Sequence, residues 1–269
     1  MNLSLIEELQ EIDNELIIDV LEKPLSQLFS LIHKVPIPKT FEAISMLQLN
    51  ISFLKTGIFD LALADNNYGM AVLERALYEH WVKHFYLFIQ YCKCKDDSAG
   101  IEYYKWTDIK EYIDYFNSLK KKQELEKAQN KIETIESIIE EVYSGYAEIP
   151  KSDRSNNLSN LSFYRLLKKI MTDLTYRSKI LTELPSDYSI LSSFVHGGPH
   201  ANRLQMFNSS SEKEREKTLY KGCKKAYLFS IMCLTNTFII AGQYDKSLLK
   251  YVEIVKEYVN KVPDDKCDK

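Results

Sequence analysis

The chain has 269 residues, of which 45% are apolar and 27% are charged, as in an ordinary globular protein. Its formal net charge of −3 excludes a surface that is strongly basic throughout, although local basic patches remain compatible with it. Only 8 glycines and 7 prolines occur, which leaves few turns and favours long, uninterrupted elements.

Apolar residues recur with a helical period along nearly the whole chain, and no segment shows the sustained alternation of a β-strand. Residues 1–38 read as an amphipathic helix disturbed at Pro24, which lacks a backbone N–H, followed by an extended connector. Helices are predicted over residues 40–64 and 67–92. The sequence therefore predicts an all-α fold, with a helical bundle over residues 39–262.

The second half of this bundle contains a charged excursion and a loop. Residues 100–145 read as a charged helical hairpin or one bent helix that projects into solvent, because "KKKQELEKAQNKIETIES" has too few apolar positions to be wholly buried. Residues 144–160, rich in Ser and Asn, are predicted to form a loop. Further helices are predicted over residues 161–182, 186–196, 212–242 and 244–261, and a frayed tail over 263–269. Ser211 and Glu214 form a capping-box pattern at the start of the longest of these helices.

The sequence predicts a cytoplasmic protein that does not cross a membrane. Its first residues, "MNLSLIEELQEID", carry acids where a secretory signal peptide carries positive charge. The five cysteines, with Cys92 and Cys94 one residue apart, show no disulfide spacing. The most apolar run, residues 226–242, is short for a bilayer span and contains polar residues, which favours a buried core helix.

The helix predicted over residues 67–92 carries charge among apolar residues. Arg75 and Glu79 are four residues apart and lie on one of its two apolar sides. An unpaired ion in such a place is costly, so each is expected to pair with the other. Two interpretations remain open: a structural ion pair that fixes the register of two helices, or half of a polar site completed from elsewhere in the chain.

The other half of such a site is expected in "DYSILSSFVHGGPH". Tyr188, Ser192 and His196 recur every four residues and so share one face of a helix. Gly197 suits the left-handed position just past a helix end, and Pro199 prevents continuation. His196 would lie on the last turn, where it either satisfies free carbonyl groups or acts at a cleft.

Two segments, "AVLERALYEHWVKHFYL" and the later "YSILSSFVHGG", resemble bacterial domains related to the HEPN superfamily. These domains share an "R-x-L-x-E" helix early and a helix ending in His later, and the resemblance spans roughly residues 40–242. It implies a helical bundle, often dimeric, of the kind found in toxin–antitoxin and anti-phage defence systems. It also implies that active members are metal-independent endoribonucleases, which use an Arg four to six residues before a His.

This sequence departs from that signature, because none of the residues four to six positions before His196 is an Arg. "RALYEH" provides Arg75 and His80 at the right spacing, but in a different helix. Five residues of regular helix place those two side chains about 140° apart. Arg75 could instead supply the missing cation to His196 through a tertiary contact.

Metal-ligand spacing occurs once on a helix, at His80 and His84. The order "EHWVKH" differs from the metalloprotease order H-E-x-x-H, and His84 falls in an apolar stripe. A zinc site with Cys92 and Cys94 is the weaker interpretation, because C-x-C has no second pair nearby. The sequence therefore predicts no metal and no cofactor.

Basic and aromatic residues mix in "FYRLLKKIMTDLTYRSK". Arg165, Lys168, Lys169 and Arg177 could bind RNA phosphates, with Tyr164 and Tyr176 available for stacking on bases. The same pattern also suits an ordinary solvated helix face.

Two functions follow from these patterns. The first is a catalytically silent or partner-dependent protein of a bacterial defence or toxin–antitoxin system, which binds a partner protein, a second copy of itself or a ligand such as RNA. The alternative is a metal-independent endoribonuclease. In it His196 is the general acid or base, Arg75 stabilises the phosphorane and Glu79 orients Arg75, while Tyr188 and Ser192 contact the substrate.

Overall fold

The protein is described here by a computed structural model over residues 4–22, 24–126, 135–173, 179–208 and 211–263. Within these ranges it contains twelve α-helices and no β-strand, which confirms the predicted all-α bundle. The helices are α1 (Ser4–Leu16), α2 (Leu25–Ile32), α3 (Pro38–Leu63), α4 (Asn67–Cys94), α5 (Ser98–Glu126), α6 (Ile135–Val142), α7 (Lys151–Asn160), α8 (Phe163–Asp173), α9 (Lys179–Val195), α10 (Pro199–Asn208), α11 (Glu212–Tyr244) and α12 (Lys250–Asn260). A π-helical turn (Ile17–Glu22) follows α1, and a 3₁₀ turn (Lys246–Leu249) precedes α12.

Three long helices, α3, α4 and α11, pack against one another and form the centre of the bundle. Large side chains such as Trp81, Tyr227 and Phe238 are fully buried among them. Of the helices in the described ranges, α11 alone is long and apolar enough to cross a bilayer, and 67% of its most apolar stretch is buried inside the protein. That burial agrees with the prediction of a core helix.

The start of α3 is held by the turn that joins α4 to α5. Pro38 occupies the first turn of α3, where its missing N–H costs nothing. The Asp97 carboxylate accepts hydrogen bonds from the N–H groups of Lys39 (3.1 Å) and Thr40 (2.6 Å). The Thr40 hydroxyl accepts one from the Gly100 N–H at 3.0 Å. These contacts fix where α5 leaves the bundle.

The predicted excursion is a helical arm made of α5 and α6. The first part of α5 packs against the main core, and Trp106 and Ile109 form a second, smaller core with Ile139 and Tyr146. Farther along α5 most side chains face solvent, with Tyr115 64% exposed, although Phe116 is buried. Residues 127–134 of the predicted arm lie outside the described residues.

The prediction of a loop over residues 144–160 is wrong in its second half, where α7 forms. Pro150 stands immediately before this helix and is compatible with a helix start. The Arg154 guanidinium then donates to the carbonyl groups of Ala147 and Ile149, both at 2.6 Å. Leu158 packs on the smaller core. The hydrogen bonds to the preceding turn and the packing of Leu158 together outweigh the weak helix propensity of a Ser- and Asn-rich segment.

Two predicted helix ends are confirmed. The Ser211 hydroxyl accepts a hydrogen bond from the Glu214 N–H at 3.2 Å and begins α11. Gly197 has a φ of +61°, in the left-handed region that favours glycine, and ends α9. Helix α10, which begins at Pro199, was not predicted: the proline that prevents α9 from continuing occupies the first position of the next helix.

Candidate functional site

Arg75 and Glu79 lie on the side of α4 that faces α9. An Arg75 terminal nitrogen is 3.0 Å from Glu79 Oε1, which confirms the predicted ion pair. Their side chains are 25% and 32% exposed, respectively. The pair is therefore half-buried at a seam between two helices, and its remaining polar atoms need partners.

Helix α9 supplies those partners. The Arg75 Nε donates to Ser192 Oγ at 3.1 Å, and a terminal nitrogen donates to the Tyr188 hydroxyl at 3.0 Å. The Tyr188 hydroxyl in turn donates to Glu79 Oε1 at 2.5 Å. Burial raises the pKa of Tyr188 to about 12, with the Glu79 hydrogen bond adding to the rise and Arg75 opposing it. We call Arg75, Glu79, Tyr188 and Ser192 the α9 network.

His196 stands one residue past the end of α9, as its C-cap. The Gly197 N–H donates to the Phe194 carbonyl (3.1 Å) and the Gly198 N–H to the Ser193 carbonyl (3.0 Å), the two bonds of a Schellman motif. The imidazole is exposed, and within the described residues it makes no hydrogen bond or ion pair with the α9 network. The free carbonyl groups at this helix end are satisfied by glycine N–H groups and by the Tyr68 hydroxyl rather than by the His196 side chain.

A cleft of about 550 Å³ opens beside the α9 network. Glu79 and Tyr188 form one wall, and side chains of α5, α7 and α8 form the others. The Tyr188 ring stacks on Phe163 with a centroid distance of 3.9 Å, which holds the phenol in place at the rim. Lys83 also lines the cleft, and burial lowers its pKa.

The basic residues predicted on α8 share a second, shallower depression of about 570 Å³, which we call the α8 cleft. Arg165, Lys168 and Lys169 line it together with Lys93 of α4. The one acid in its lining is Asp173, whose carboxylate is 2.5 Å from Lys93 Nζ. Tyr86 also lines this cleft, with Lys169 Nζ at 5.3 Å from its ring centroid. Arg177 and Tyr176, predicted to belong to the same surface, lie outside the described residues.

Glu74, the neighbour of Arg75 on α4, is a buried acid that was not among the residues predicted from the sequence. Its carboxyl is almost fully buried against Gly222 of α11, where a side chain would overlap it. Burial raises the pKa of Glu74 to about 7, with Asp187 adding to the rise and Lys225 opposing it. The sequence did indicate this burial, because Glu74 lies four residues after Met70 and so falls on the same apolar side of α4.

A buried ion pair between Lys55 of α3 and Asp13 of α1 was also missed. Both side chains are almost fully buried, at 2% and 7% exposure. Lys55 lies between Ile51 and Ile58 on one helical face, so its apolar surroundings were visible in the sequence. The identity of its partner was not, because the two residues are 42 positions apart.

The two histidines at metal-ligand spacing, His80 and His84, lie beside two different oxygen atoms of the protein. His80 Nδ1 lies 2.8 Å from the carbonyl of Ala76, within its own helix. His84 is fully buried with Nε2 at 3.3 Å from the Thr237 hydroxyl, and burial lowers its pKa to about 3. Cys92 and Cys94 are exposed. In the part of the chain that the structure describes, no group of three His, Cys, Asp or Glu side chains is arranged to hold a metal ion.

Fold and site together define an all-α protein with a cross-helix polar network beside a cleft and a basic depression on α8. A family model described as "Family of unknown function (DUF5677)" matches residues 42–215, so the chain belongs to this family. The matched range includes the α9 network and the α8 cleft. No curated protein and no solved structure matches the chain.

Proposed function

We propose that this protein is a non-catalytic, HEPN-like helical binding protein whose α8 cleft binds the phosphate groups of RNA. The single observation that carries the proposal is the composition of this cleft. Four cationic side chains and one carboxylate line it, which gives it a local positive charge on a chain whose formal net charge is −3. Phosphate contacts by Lys and Arg supply most of the affinity of non-specific nucleic-acid binding.

Lys93 of the α8 cleft is paired with Asp173, but Arg165 and Lys168 keep N–H donors that bind no other described residue. The Lys168 side chain makes no ion pair or hydrogen bond with any other described residue. The Arg165 guanidinium donates once, to the Asn156 carbonyl at 3.3 Å, which leaves further N–H donors for a ligand. Tyr164, next in sequence, is 51% exposed, but its ring lies outside the lining of this cleft and packs edge-on against Phe163 and Tyr188. The support for RNA binding therefore comes from the cations and not from a stacking ring.

The α9 network supports a structural role for Arg75 rather than a catalytic one. Its Nε and one terminal nitrogen already bind Glu79, Tyr188 and Ser192, which holds the guanidinium against α9 and leaves only the other terminal nitrogen for a developing phosphorane charge. The exposed His196 imidazole makes no hydrogen bond or ion pair with the side chains of that network within the described residues. The alternative function, a metal-independent endoribonuclease that uses His196 with Arg75, therefore has less support from the geometry than binding has.

The resemblance to HEPN-related domains supports a place in a bacterial defence or toxin–antitoxin system, in the cytoplasm, together with a partner protein or a second copy. The helical arm supports a partner-binding role, since its far end exposes apolar side chains. Tyr115 is 64% exposed and Leu125 is 85% exposed. Neither of these proposals depends on the α8 cleft.

The proposal is tested by titrating fluorescein-labelled single-stranded RNA with the pure protein and following fluorescence anisotropy over a range of salt concentrations. We expect the double variant Arg165→Glu with Lys168→Glu to weaken binding roughly ten-fold or more and to flatten the salt dependence by about two phosphate contacts. The matched control is Lys120→Glu with Lys121→Glu, which makes the same charge change at exposed positions of α5. Equal losses in both double variants would reduce the effect to net charge and contradict the proposal.

The same RNA, incubated with the protein in EDTA and run on a denaturing gel, separates the two functions. The binding proposal expects intact RNA. Cleavage that disappears in His196→Ala would overturn it in favour of the ribonuclease. Cleavage that persists in His196→Ala but not in Arg75→Gln would overturn both assignments.

A further inference from the structure

The cleft beside the α9 network contains an amino group that the protein leaves unpaired. Lys83 lines this cleft from α4, one helical turn after Glu79. A Glu and a Lys at this spacing commonly form an ion pair, but the Glu79 carboxylate binds Arg75 and Tyr188 instead. The Lys83 side chain makes no ion pair or hydrogen bond with any other described residue. Its amine is therefore available to a ligand.

The Lys83 amine is open to the cleft although most of the side chain is withdrawn from water. The residue is half-buried, yet Nζ is not among the unpartnered polar atoms that are closed to water. The charged groups that act on this amine are Glu79, Lys110 and Glu111, and all of them line the same cleft. A molecule that enters the cleft would therefore meet the amine directly.

The surroundings of Lys83 favour the neutral amine, which is the nucleophilic form of lysine. A half-buried ammonium ion without an ionic partner loses hydration without compensation. Burial accordingly lowers the pKa of Lys83. The Glu79 and Glu111 carboxylates raise this pKa and Lys110 lowers it further, but burial has the largest influence. Desolvation and a neighbouring cation are the two ways in which proteins activate lysine as a nucleophile.

We propose that Lys83 binds a small, uncharged aldehyde covalently, as an imine. The amine nitrogen attacks the carbonyl carbon, and the resulting carbinolamine loses water. A C=N bond thereby replaces the C=O bond, the nitrogen gives up the two protons of the neutral amine, and the departing oxygen gains two. No oxidant or reductant takes part, and hydrolysis reverses the attachment.

The lining of the cleft favours an uncharged ligand with an apolar chain. With Lys83 neutral, the remaining ionic side chains of the lining are one lysine and two glutamates, which disfavours an anion. Apolar walls for the carbon chain of the ligand come from Leu158, Leu161, Phe163 and Leu166. The cleft shares no lining residue with the α8 cleft, so the inference does not depend on RNA binding.

The test treats the full-length protein with butanal and cyanoborohydride, which reduces an imine to a stable secondary amine, and maps the butylated lysines by mass spectrometry. We expect Lys83 to be labelled roughly ten-fold faster, or more, than the exposed Lys120 at neutral pH. The ratio of the two rates should fall as the pH rises, because exposed lysines then become neutral as well. Equal rates at neutral pH, or no label at Lys83, would contradict the proposal.

Two tryptophan substitutions on α7 connect the reaction to the cleft. Ser155 is exposed and lines the cleft, whereas Ser152 is exposed on the same helix outside that lining. Ser155→Trp should slow the labelling of Lys83 roughly five-fold or more, because an indole ring would fill part of the cleft. Ser152→Trp should change the rate by less than about two-fold. Unchanged labelling in Ser155→Trp would show that the aldehyde does not react through this cleft.

An anion is the competing ligand for Lys83. Butyrate, the charged counterpart of butanal, distinguishes the two, because an anion bound at Lys83 would keep the amine protonated and unreactive. We expect a large excess of butyrate to slow the labelling of Lys83 by less than about two-fold. A stronger loss of labelling at Lys83, which Lys120 does not share, would replace the imine site by an anion site.

Discussion

Two seams of the bundle each place a charged pair between helices, but the two pairs differ in how far water reaches them. At the α1–α3 seam, Lys55 and Asp13 pair with almost no exposure. At the α4–α9 seam, Arg75 and Glu79 are 25% and 32% exposed and share their polar atoms with two residues of α9. The more deeply a charged pair is buried, the more the free energy of unfolding depends on keeping both partners, because a desolvated ion must be paired whereas a hydrated one need not be.

The largest effect should come from breaking the buried pair. Lys55→Met leaves the Asp13 carboxylate desolvated and alone, and we expect a loss of about 3–5 kcal/mol in the free energy of unfolding, measured by urea denaturation. The double variant Asp13→Leu with Lys55→Met removes both charges and should recover most of that loss. A double variant as unstable as Lys55→Met would show that the pair itself, rather than the orphaned acid, carries the stability.

Glu74 adds a third case, because it is a buried acid next to the half-exposed pair and packs against α11. Its pKa of about 7 in the folded protein lies above the ordinary value of 4.5, so the folded state holds a proton that the unfolded state releases. Stability from this group is fully present below pH 4.5 and is lost as the pH rises through 7. Glu74→Gln should therefore match the wild type near pH 5 and exceed it by about 2–3 kcal/mol near pH 8.

The measurement for Glu74 is the difference between the two unfolding free energies across this pH range. The difference is needed because His84 acts in the opposite direction. Burial lowers its pKa to about 3, so its contribution to stability falls as the pH drops below 6.5. A difference that stays constant with pH would contradict the raised pKa of Glu74.

Breaking the half-exposed pair should lower the free energy of unfolding by less than breaking the buried pair. Arg75→Gln removes the guanidinium that links α4 to α9, and we expect a loss of about 1–2 kcal/mol in urea denaturation, since water reaches the remaining partners. The control is Lys110→Gln, which breaks an exposed pair with Asp114 on α5 and should cost about 0.5 kcal/mol or less. A loss as large as that of Lys55→Met would remove the distinction between the two seams.

The smallest effect is expected from a single hydroxyl group. Tyr188→Phe keeps the stacking on Phe163 but removes the bond to Glu79, and should cost about 1 kcal/mol in thermal or urea unfolding. Tyr164→Phe, on the neighbouring exposed ring, should leave stability unchanged within about 0.5 kcal/mol. A neutral Tyr188→Phe would mean that Arg75 and Glu79 hold the seam by themselves.

Much of the fold was predictable because its signals are local. The helical class of the chain, the capping pattern at Ser211 and the left-handed position at Gly197 depend on neighbouring residues only, and each matches the structure. The helix predicted to begin at residue 186 instead begins at Lys179 and continues through Pro185. The α7 helix was not predictable, because its Ser- and Asn-rich sequence is held by Arg154 and Leu158 through contacts with other segments. Local propensity gives no sign of such contacts.

The candidate site also has one part that could be predicted from the sequence and one part that could not. Arg75, Glu79, Tyr188 and Ser192 could be expected together because buried charge needs partners and a four-residue repeat on one helix face offers them. The separation of His196 from that network depends on where α9 ends, which the Gly197–Gly198 turn decides. Tyr188, Ser192 and His196 keep a four-residue spacing in the sequence, but α9 ends at Val195, before His196.

The central claim is that the charge at the α9 network serves the fold, whereas the charge at the α8 cleft serves binding. The most direct test measures RNA affinity by anisotropy for Arg75→Gln and for Arg165→Glu with Lys168→Glu, both confirmed as folded by circular dichroism. We expect wild-type affinity for the first variant and a loss of roughly ten-fold or more for the second. A folded Arg75→Gln that no longer binds RNA, beside a double variant that still does, would contradict it.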